Sequence, residues 1–460
     1  LAVSLGGPAQ NRMRVLRIYH AGRNPAHRAR DRALLAAGVD VVYVVPRIWP
    51  EAGGEGALSA EGFPIIEVDV RSPGDVNRHS YADVGAVSRL AVDHQVDLVD
   101  LFEEPFSRAA GQLLPRLPPE LPVVMYSAQN LDKRWPPPYR NYERRSFQRV
   151  YGFYPCSRQA AAVLRRKGFG GLVEPLPLGY EDELYSCGEQ SLAKGRLRLA
   201  LVGRMVREKG VCDAVRVLAD LYLGKGMDAE LVLAGSGPEL TAAMALAKEL
   251  GVSDRVEHRP WLVAPQLAQL YRETHVVLAP SRSTATWAEQ FGRMIVEGQA
   301  SGCVIVGYDS GAIPEVGGDP ALLVRERDVD SLAQAAALVL SDPEEFQARR
   351  RSGLALAAER TWTRVARKQA KLYRMVLEAG STPLLPGSPR ARRRLAEAEF
   401  GRPAEALGQS RPFALPYLRR PSATSRVLGR TMDMVAEVRT KIGRGDVHSV
   451  RDDRLVDGEQ

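Results

Sequence analysis

Residues 199–210 read LALVGRMVREKG, an apolar run that ends in glycine and continues into a basic segment. The pattern predicts a buried strand that ends at Gly203 and a helix that begins just after Gly210. Arg204 and Lys209 are then held at the carboxyl end of a parallel strand, where doubly wound sheets bind ligands. Because a helix amino terminus also attracts anions, the segment suits a diphosphate, which two cations could stabilise as a leaving group. An exposed basic loop without a ligand is the alternative.

A second segment, residues 231–240 (LVLAGSGPEL), has the same order of strand, turn and helix. The glycines of the turn allow the backbone to approach a ligand closely. A turn of this kind can equally serve only to reverse the chain, so the segment is weak evidence by itself.

The third segment is the most informative and covers residues 287–298, WAEQFGRMIVEG. A helix that starts near Phe291 leaves Glu289 in the loop before it and places Glu297 about two turns inside. Two such carboxylates can accept hydrogen bonds from sugar or ribose hydroxyls, and backbone N–H groups at Phe291 and Gly292 can meet phosphate or sugar oxygens. By spacing alone, an ordinary surface helix with two glutamates is also consistent.

Around these segments, short apolar runs alternate with helical patterns along most of the chain. Most of the runs are continuous, as in parallel strands that are covered by helices on both faces. The alternation predicts an α/β fold with two tandem Rossmann-like domains whose parallel sheets face a cleft. The predicted strands are Val15–Tyr19, Val41–Val45, Ile65–Val70, Leu98–Phe102, Val123–Tyr126, Gly152–Pro155, Arg198–Val202, Glu230–Ala234, Val256–His258, Val276–Leu278 and Val304–Gly307.

The domain boundaries follow from changes in composition. The polar stretch 179–195 separates the two series of strands, and a long helical pattern, 343–379, closes the second. Residues 381–460 are rich in Pro, Gly, Ser and Arg, which indicates a mostly disordered tail with a short helix at 390–399 and another near 427–441. We therefore predict a leader (1–13), two domains (14–185 and 186–358), a crossover helix (359–380) and a basic tail (381–460).

Composition excludes several classes of protein. The chain has 460 residues, 45% of them hydrophobic, and a formal charge of +8, which favours a globular protein of two or three domains. Its four cysteines have no metal-site spacing, so we expect neither a disulfide framework nor a zinc module. No apolar run approaches the roughly 18 residues of a membrane span, and the leader does not resemble a signal peptide. We predict a cytoplasmic protein.

Basic residues concentrate between Lys133 and Lys167, where ten lysines and arginines stand against the single acid Glu143. Such a segment attracts phosphates and is a candidate surface for peripheral attachment to the inner face of an anionic membrane. A solvated helical face without a partner is equally consistent with the charge count.

Taken together, the three segments resemble the family 4 retaining glycosyltransferases, which belong to the glycosyl transferases group 1 and have the GT-B fold. The resemblance covers most of residues 198–377 in order and spacing and is looser in the first half, where it rests on FEEPFS (102–107) and YSAQNLDKRWPPPYR (126–140). The matching stretches of the second half are GRMVREKG (203–210), AGSGPEL (234–240), EQFGRMIVE (289–297) and DSGAIPEVGGDPALLV (309–324).

The resemblance implies roles for individual residues. Arg204 and Lys209 would bind the diphosphate of a nucleotide-sugar donor, and Glu289 would hold hydroxyls of the transferred sugar. Glu297 would bind the ribose, and residues 260–262 would lie near the base. The other donor-binding residues would be Ser236, Gly237, Phe291 and Gly292, with Gly22 alone where many members have a Gly-Gly loop.

On the acceptor side the resemblance is less informative. Gln129 and Asn130 stand where many members have a His or an Asp, and neither is a good general base at neutral pH. Glu103 and Glu104 are further candidates at a strand end, although a plain surface loop explains them better. The resemblance also implies transfer with retention, no metal and no cofactor, closure of the cleft, and a final helix that returns to the first domain.

Three functions remain open from the sequence. We favour transfer of a sugar from a nucleotide-diphosphate sugar to a lipid-linked, saccharide or small-molecule acceptor. Another GT-B enzyme, such as a nucleotide-sugar epimerase or a phosphorylase, is the first alternative. A non-catalytic polyanion-binding protein is the second, but it gives no reason for Glu289 and Glu297, and we expect no nucleic-acid partner.

Overall fold

Parallel strands of the first half of the chain form a seven-stranded sheet in the order β3-β2-β1-β6-β7-β8-β9. The computed structural model describes residues 12–50, 58, 61–192, 195–319, 321–379 and 389–400. We call the part built on this sheet the first lobe; β4 and β5 form a separate antiparallel pair. Its strands are β1 (Arg14–Ile18), β2 (Asp40–Pro46), β3 (Ile65–Val68), β4 (Val70–Arg71), β5 (Ser80–Tyr81), β6 (Leu98–Leu101), β7 (Val123–Ser127), β8 (Gly152–Pro155) and β9 (Leu172–Val173).

Among the described residues of the first lobe, five α-helices connect these strands and cover the sheet. The central strands are almost fully buried. Their apolar side chains project from both faces of the sheet, and helices cover both faces. The helices are α1 (Ala29–Ala36), α2 (Val84–Asp93), α3 (Arg108–Leu113), α4 (Tyr139–Arg149) and α5 (Arg158–Lys167).

The second lobe repeats this plan with six parallel strands in the order β12-β11-β10-β13-β14-β15. The strands are β10 (Leu197–Val202), β11 (Ala229–Ala234), β12 (Val256–Arg259), β13 (Val276–Ala279), β14 (Val304–Tyr308) and β15 (Leu322–Val324). The helices that follow the first lobe are α6 (Val211–Ala219), α7 (Glu239–Glu249), α8 (Ala264–Glu273), α9 (Arg293–Ala300), α10 (Ile313–Gly317), α11 (Val329–Ser341), α12 (Pro343–Ala358), α13 (Trp362–Ala379) and α14 (Pro389–Phe400).

The prediction of two Rossmann-like halves is confirmed, and each of the eleven predicted strands is present with ends that differ from the prediction by at most two residues. One predicted strand, Ile65–Val70, is divided: β3 stays in the large sheet, while Val70 begins β4 and pairs with Tyr81 instead. The strands that the sequence did not predict, apart from β4, are β5, β9 and β15, and none exceeds three residues. Such short pairings leave too little periodic pattern to detect.

The long helical pattern at 343–379 forms two helices, α12 and α13. The helical structure is interrupted at residues 359–361, where Thr361 pairs with Tyr180 in an isolated parallel bridge. The Trp362 N–H donates to the carbonyl of Tyr180 at 3.1 Å, so the interruption joins the two segments that connect the lobes.

Helix α13 then crosses back to the first lobe, as predicted. Its apolar residues Val365, Leu372 and Val376 share a core cluster with β1 and β2. Polar groups also meet there: the Tyr373 hydroxyl donates to the buried carboxylate of Asp100 in β6, and the Gln369 amide donates to the same oxygen at 2.9 Å.

Helix α14 lies within the predicted basic tail but is packed against α5. Ala396 and Phe400 are buried against Ala161 and Ala162, and Arg165 forms an ion pair with Glu399 at 2.9 Å. The helix predicted at 390–399 is therefore confirmed as α14, and its packing against α5 is a contact that the sequence did not predict. The leader as far as residue 11, residues 380–388 and residues 401–460 lie outside the described residues.

No helix in the described ranges combines the length and the apolar character that are needed to span a bilayer.

Candidate active site

Two adjoining cavities lie at the carboxyl ends of the strands of the second lobe, where the parallel-sheet rule places ligands. The first, about 400 Å³, lies between the lobes; the second, about 440 Å³, lies beside β11 and shares Val202, Gly203 and Leu267 with the first. Tyr126, Ala128, Cys156 and Leu178 of the first lobe also line the first cavity. The site is thus built from both halves of the chain.

Glycines shape the loops that follow β10 and β11. Gly235 has a positive φ of 133°, and a Cβ there would overlap the carbonyl oxygen of Gly203. A Cβ on Gly237 would likewise overlap the carbonyl of Met205. Because only glycine permits these approaches, the two loops can lie side by side and leave the second cavity open between them.

Lys209 and Glu289 meet in the first cavity. Lys209 donates a hydrogen bond to Oε2 of Glu289, which also accepts from Ser281 Oγ at 2.9 Å. Glu289 is only 6% exposed, so the lysine balances a charge that would otherwise be costly to bury. The ammonium group of Lys209 also lies 5.6 Å from the ring centre of Trp287.

Glu297 lines the same cavity from inside helix α9. Its Oε1 accepts from Arg293 at 2.9 Å and its Oε2 accepts from the Tyr271 hydroxyl at 3.2 Å. Burial and the charge of Glu297 together raise the pKa of Tyr271 well above its usual value, so this hydroxyl keeps its proton. The carboxylate is therefore held in one orientation and retains lone pairs for hydroxyl donors.

The amino terminus of α9 points its free N–H groups at the first cavity. Gly292 caps this helix in the left-handed conformation, with a φ of 81° and no side chain that satisfies the first N–H groups. The ring of Phe291 is buried in the core, so this residue can reach a ligand only through its backbone. Such an end is a ready site for an anion or a sugar oxygen.

Arg204 lines the second cavity rather than the first and is exposed there. Ser236 lines the same cavity and donates from Oγ to the carbonyl of Pro260 at 2.9 Å. Trp261 and Leu262 form an apolar wall, and 52% of Trp261 remains accessible. An exposed indole of this kind offers a flat face on which a base can stack.

Two predicted donor-binding glycines are not among the described residues that line the cavities. Gly237 packs against the Met205 backbone. Gly22 is buried in the first lobe, where a Cβ would overlap the ring of Tyr43, and its carbonyl accepts from Arg28 at 2.9 Å. Its position indicates a packing requirement.

The predicted acceptor-side residues are engaged by the protein itself. Gln129 donates to the carbonyl of Leu131 at 3.0 Å. Asn130 donates across the cleft to the carbonyl of Glu289 at 2.8 Å, which links the two lobes. Glu103 is 1% exposed and contacts His20 and His79, so the expectation of a surface loop is wrong at this residue.

Glu104 lies just behind the wall of the first cavity. Its carboxyl group accepts from the N–H of Ala128 at 2.7 Å and from Ser127 Oγ at 2.9 Å. Burial raises its pKa to about 7, in spite of these hydrogen bonds and of nearby Lys133. Its proton is therefore exchangeable near neutral pH, and it touches Ala128, which lines the cavity.

Several residues of the site were missed by the sequence reasoning. Tyr271 and Arg293 hold Glu297, and Ser281 holds Glu289. The four-residue spacing from Arg293 to Glu297 is a signal that could have been used. Tyr271 and Ser281 come from other elements, and nothing in their own sequence surroundings marks them.

Comparison with known proteins agrees with this geometry. Residues 188–353 match the family model described as "Glycosyl transferases group 1". In this domain the chain is similar to the group 1 glycosyltransferases. The matched domain contains every residue of the second lobe that lines the two cavities.

Curated relatives are similar to part of the chain. A D-inositol 3-phosphate glycosyltransferase of Segniliparus rotundus is 29% identical over 221 residues, which are 45% of this chain and 48% of the relative. An MMP alpha-(1->4)-mannosyltransferase of Mycolicibacterium hassiacum is 32% identical over 207 residues, 43% of this chain and 47% of the relative. The chain thus spans about half the length of these relatives.

Solved structures show the fold of the chain. A sucrose-phosphate synthase from Thermosynechococcus elongatus superposes with a TM-score of 0.63 at 19% identity, over 80% of this chain and 100% of that one. A glycosyltransferase involved in lipopolysaccharide biosynthesis gives a TM-score of 0.55 at 16% identity, over 78% and 99%. Together with the two parallel sheets, these likenesses identify the fold as GT-B.

Proposed function

We propose that the chain is a retaining glycosyltransferase of family 4 that moves a sugar from a nucleotide-diphosphate sugar to an acceptor hydroxyl. The observation that carries the proposal is the meeting of Lys209, Glu289 and the free end of α9 in one interlobe cavity. This arrangement combines positive charge for a diphosphate with a carboxylate for sugar hydroxyls.

In this proposal the donor lies across both cavities. Its base stacks on Trp261, its ribose hydroxyls donate to Glu297, and its diphosphate faces Arg204, Lys209 and the N–H groups of α9. Both cavities share Gly203, so a single ligand can pass from one to the other. The sugar then reaches Glu289 at the first-lobe side.

The chemical step breaks the bond from the sugar anomeric carbon to the diphosphate and forms a bond to the acceptor oxygen. The nucleoside diphosphate leaves with the bonding electrons, and its added negative charge is balanced by Lys209, Arg204 and the helix end. The acceptor hydroxyl passes its proton to an oxygen of the departing diphosphate as the new bond forms. We propose that the transfer needs no metal or other cofactor, since cationic side chains already face the leaving group.

The relatives suggest the class of acceptor. One is named for D-inositol 3-phosphate, and a third relative, from Mycolicibacterium smegmatis, is named a GDP-mannose-dependent phosphatidylinositol monomannoside mannosyltransferase; it is 28% identical over 42% of this chain and 53% of its own length. We therefore propose a polyol, saccharide or lipid-linked acceptor, bound against the first lobe.

A cytoplasmic location and a peripheral membrane contact are part of the proposal. Most basic residues of the segment 133–167 have partners within the protein, such as Lys167 with Glu143, Arg166 with Asp132, and Arg165 with Glu399. The exposed charges that remain on α4 and the loop before it are Arg134, Arg140, Arg144 and Arg145. Binding to anionic vesicles should depend on these four arginines.

The test is a thermal-shift screen of the whole chain against UDP-, GDP-, ADP- and TDP-sugars, followed by product analysis with candidate acceptors. A selective shift, together with transfer that keeps the anomeric configuration, is the expected result. An enzyme that epimerises the donor without an acceptor would instead be the alternative GT-B activity. Salt-sensitive polyanion binding with no donor-dependent shift would indicate a non-catalytic binding protein.

A further inference from the structure

Three ionisable side chains from distant segments converge in the first lobe. His20 follows β1, His79 precedes β5, and Glu103 follows β6. Nδ1 of His20 lies 2.8 Å and 2.9 Å from the two oxygens of Glu103, and Nε2 of His79 lies 3.4 Å from Oε1. One ligand atom from each residue falls within 4.8 Å of the other two.

The orientation of His79 shows that a positive charge belongs between these groups. Its Nδ1 is 3.2 Å from the carbonyl oxygen of Asp75, which can only accept, so Nδ1 carries a hydrogen. In a neutral ring, Nε2 then carries a lone pair that is directed at Glu103, and Nε2 makes no hydrogen bond. Because a lone pair and a carboxylate repel, either a proton or a metal ion must lie between them.

The surroundings of the cluster favour an enclosed ion. His79 and Glu103 are each 1% exposed, and Trp49 covers the two histidines, with its ring centre 4.6 Å from His20 and 5.0 Å from His79. The buried Tyr81 hydroxyl also lacks a partner among the described atoms. Buried polar atoms without partners are rare in proteins and often mark an unfilled site.

We propose that His20, His79 and Glu103 bind a divalent transition metal ion such as zinc. Two imidazoles and one carboxylate form a donor set that zinc uses, with room for a fourth ligand. The carbonyl of Asp75 would fix the ring of His79, as outer partners of metal-bound histidines commonly do.

The ion would be structural. It would join the segment after β1, the segment before β5 and the segment after β6. These three segments of the first lobe would then be held in fixed positions relative to one another. None of the three ligands is among the described residues that line the two cavities, so the proposal is independent of glycosyl transfer.

The test measures zinc on the untagged full chain after it is stripped with a chelator. The protein is mixed with a slight excess of Zn²⁺, desalted and assayed for metal by mass spectrometry, and its melting temperature is recorded with and without zinc. We expect one equivalent to be retained by the wild type, with a rise in melting temperature. His79→Ala and Glu103→Gln should weaken binding by at least about 100-fold, since even the loss of an outer partner costs 10- to 100-fold.

The matched controls are His94→Ala, which removes a histidine of the same lobe, and Cys187→Ser, which removes an exposed thiol. Both should retain the wild-type equivalent. Absence of bound zinc in the wild type, or equal retention by all variants as an adventitious ion only, would overturn the proposal and leave a proton on His79. If the ligand variants fail to fold, Co²⁺ spectra of the wild type decide: nitrogen and oxygen ligands support the site, and thiolate bands contradict it.

Discussion

Lys209 donates a hydrogen bond to Glu289, although the two residues lie 80 positions apart in the chain. Neighbouring strands bring them together, because β10 and β13 pair in parallel and their carboxyl ends meet at one edge of the sheet. In the proposed function, the donor must divide this pair: the diphosphate takes the lysine and the sugar takes the carboxylate. The ion pair therefore keeps both groups in place before the donor arrives.

Lys209→Ala should weaken binding of the nucleoside diphosphate. Because it removes a charged donor from the diphosphate site, affinity for the nucleoside diphosphate should fall about 10- to 100-fold, which corresponds to about 1.5–3 kcal/mol. Titration calorimetry with the preferred nucleoside diphosphate measures it. Arg207→Ala is the matched control, since Arg207 belongs to the same loop but lies in a different hollow; an equal loss in both variants would contradict the assignment.

Glu289→Gln should reduce turnover more than it reduces donor binding. The substitution keeps the shape and one acceptor oxygen but removes the charge that faces Lys209, and loss of one stabilising group in an active site typically lowers kcat by about 10²–10³. Steady-state kinetics with the identified donor separates kcat from KM. Unchanged kcat with a normal circular dichroism spectrum would refute a catalytic role.

Gly22→Ala distinguishes packing from donor binding. A Cβ at this position overlaps the ring of Tyr43, so the variant should lose about 1–3 kcal/mol in its free energy of unfolding. Denaturant titration measures the loss. Under conditions in which the variant is fully folded, its affinity for the nucleoside diphosphate should equal that of the wild type. A selective loss of affinity would show instead that Gly22 takes part in donor binding.

Stability should depend on pH through Glu104. Its carboxyl group titrates near 7 in the folded protein and near 4.5 in the unfolded chain, so between these values the folded state binds the extra proton. The contribution of Glu104 to the free energy of unfolding therefore falls as pH rises through this window. Glu104→Gln cannot titrate, and relative to the wild type it should gain about 1–3 kcal/mol between pH 4.5 and pH 7.5.

Urea titrations at several pH values test this expectation for Glu104. A difference that grows with pH between the two proteins is the expected result. A constant offset across the window would contradict it, since the offset would reflect only the altered hydrogen bonds to Ser127 and Ala128.

Tyr373→Phe tests the attachment of α13 to the first lobe. The variant leaves the buried Asp100 with one donor fewer, which should cost about 1–3 kcal/mol. Tyr222→Phe is the control, because the Tyr222 hydroxyl accepts only a partly buried hydrogen bond from Arg255; its loss should stay below about 1 kcal/mol. Equal losses in the free energy of unfolding would mean that the buried hydrogen bond to Asp100 stabilises the protein no more than the partly buried one does.

Sequence reasoning was strongest where one element carries the whole signal. The strand that ends at Gly203 and the helix after Gly292 depend on local apolar runs and glycine positions, and both are found within a few residues. The return of α13 was inferred only from the resemblance. Its anchoring by Tyr373 and Asp100 joins residues 273 positions apart and has no local pattern.

The same limit explains why the contacts of Gly22, Glu103 and residues 389–400 were not predicted. A glycine after a strand is consistent with both a ligand loop and a packing contact, and only the position of Tyr43 separates the two. Glu103 has a charged neighbour in the sequence and so resembles a loop residue, yet His20 and His79 enclose it. The tail helix is basic, and only the small residues of α5 reveal that it is docked.

The bridge between Tyr180 and Thr361 has a mechanical consequence. Within the part of the chain that the structure describes, the backbone passes between the lobes twice, and both passages lie side by side at this one point. An opening of the cleft would therefore be a rotation about a single hinge axis, with the two connections twisting together. Separation of the lobes by translation would first have to break that pairing.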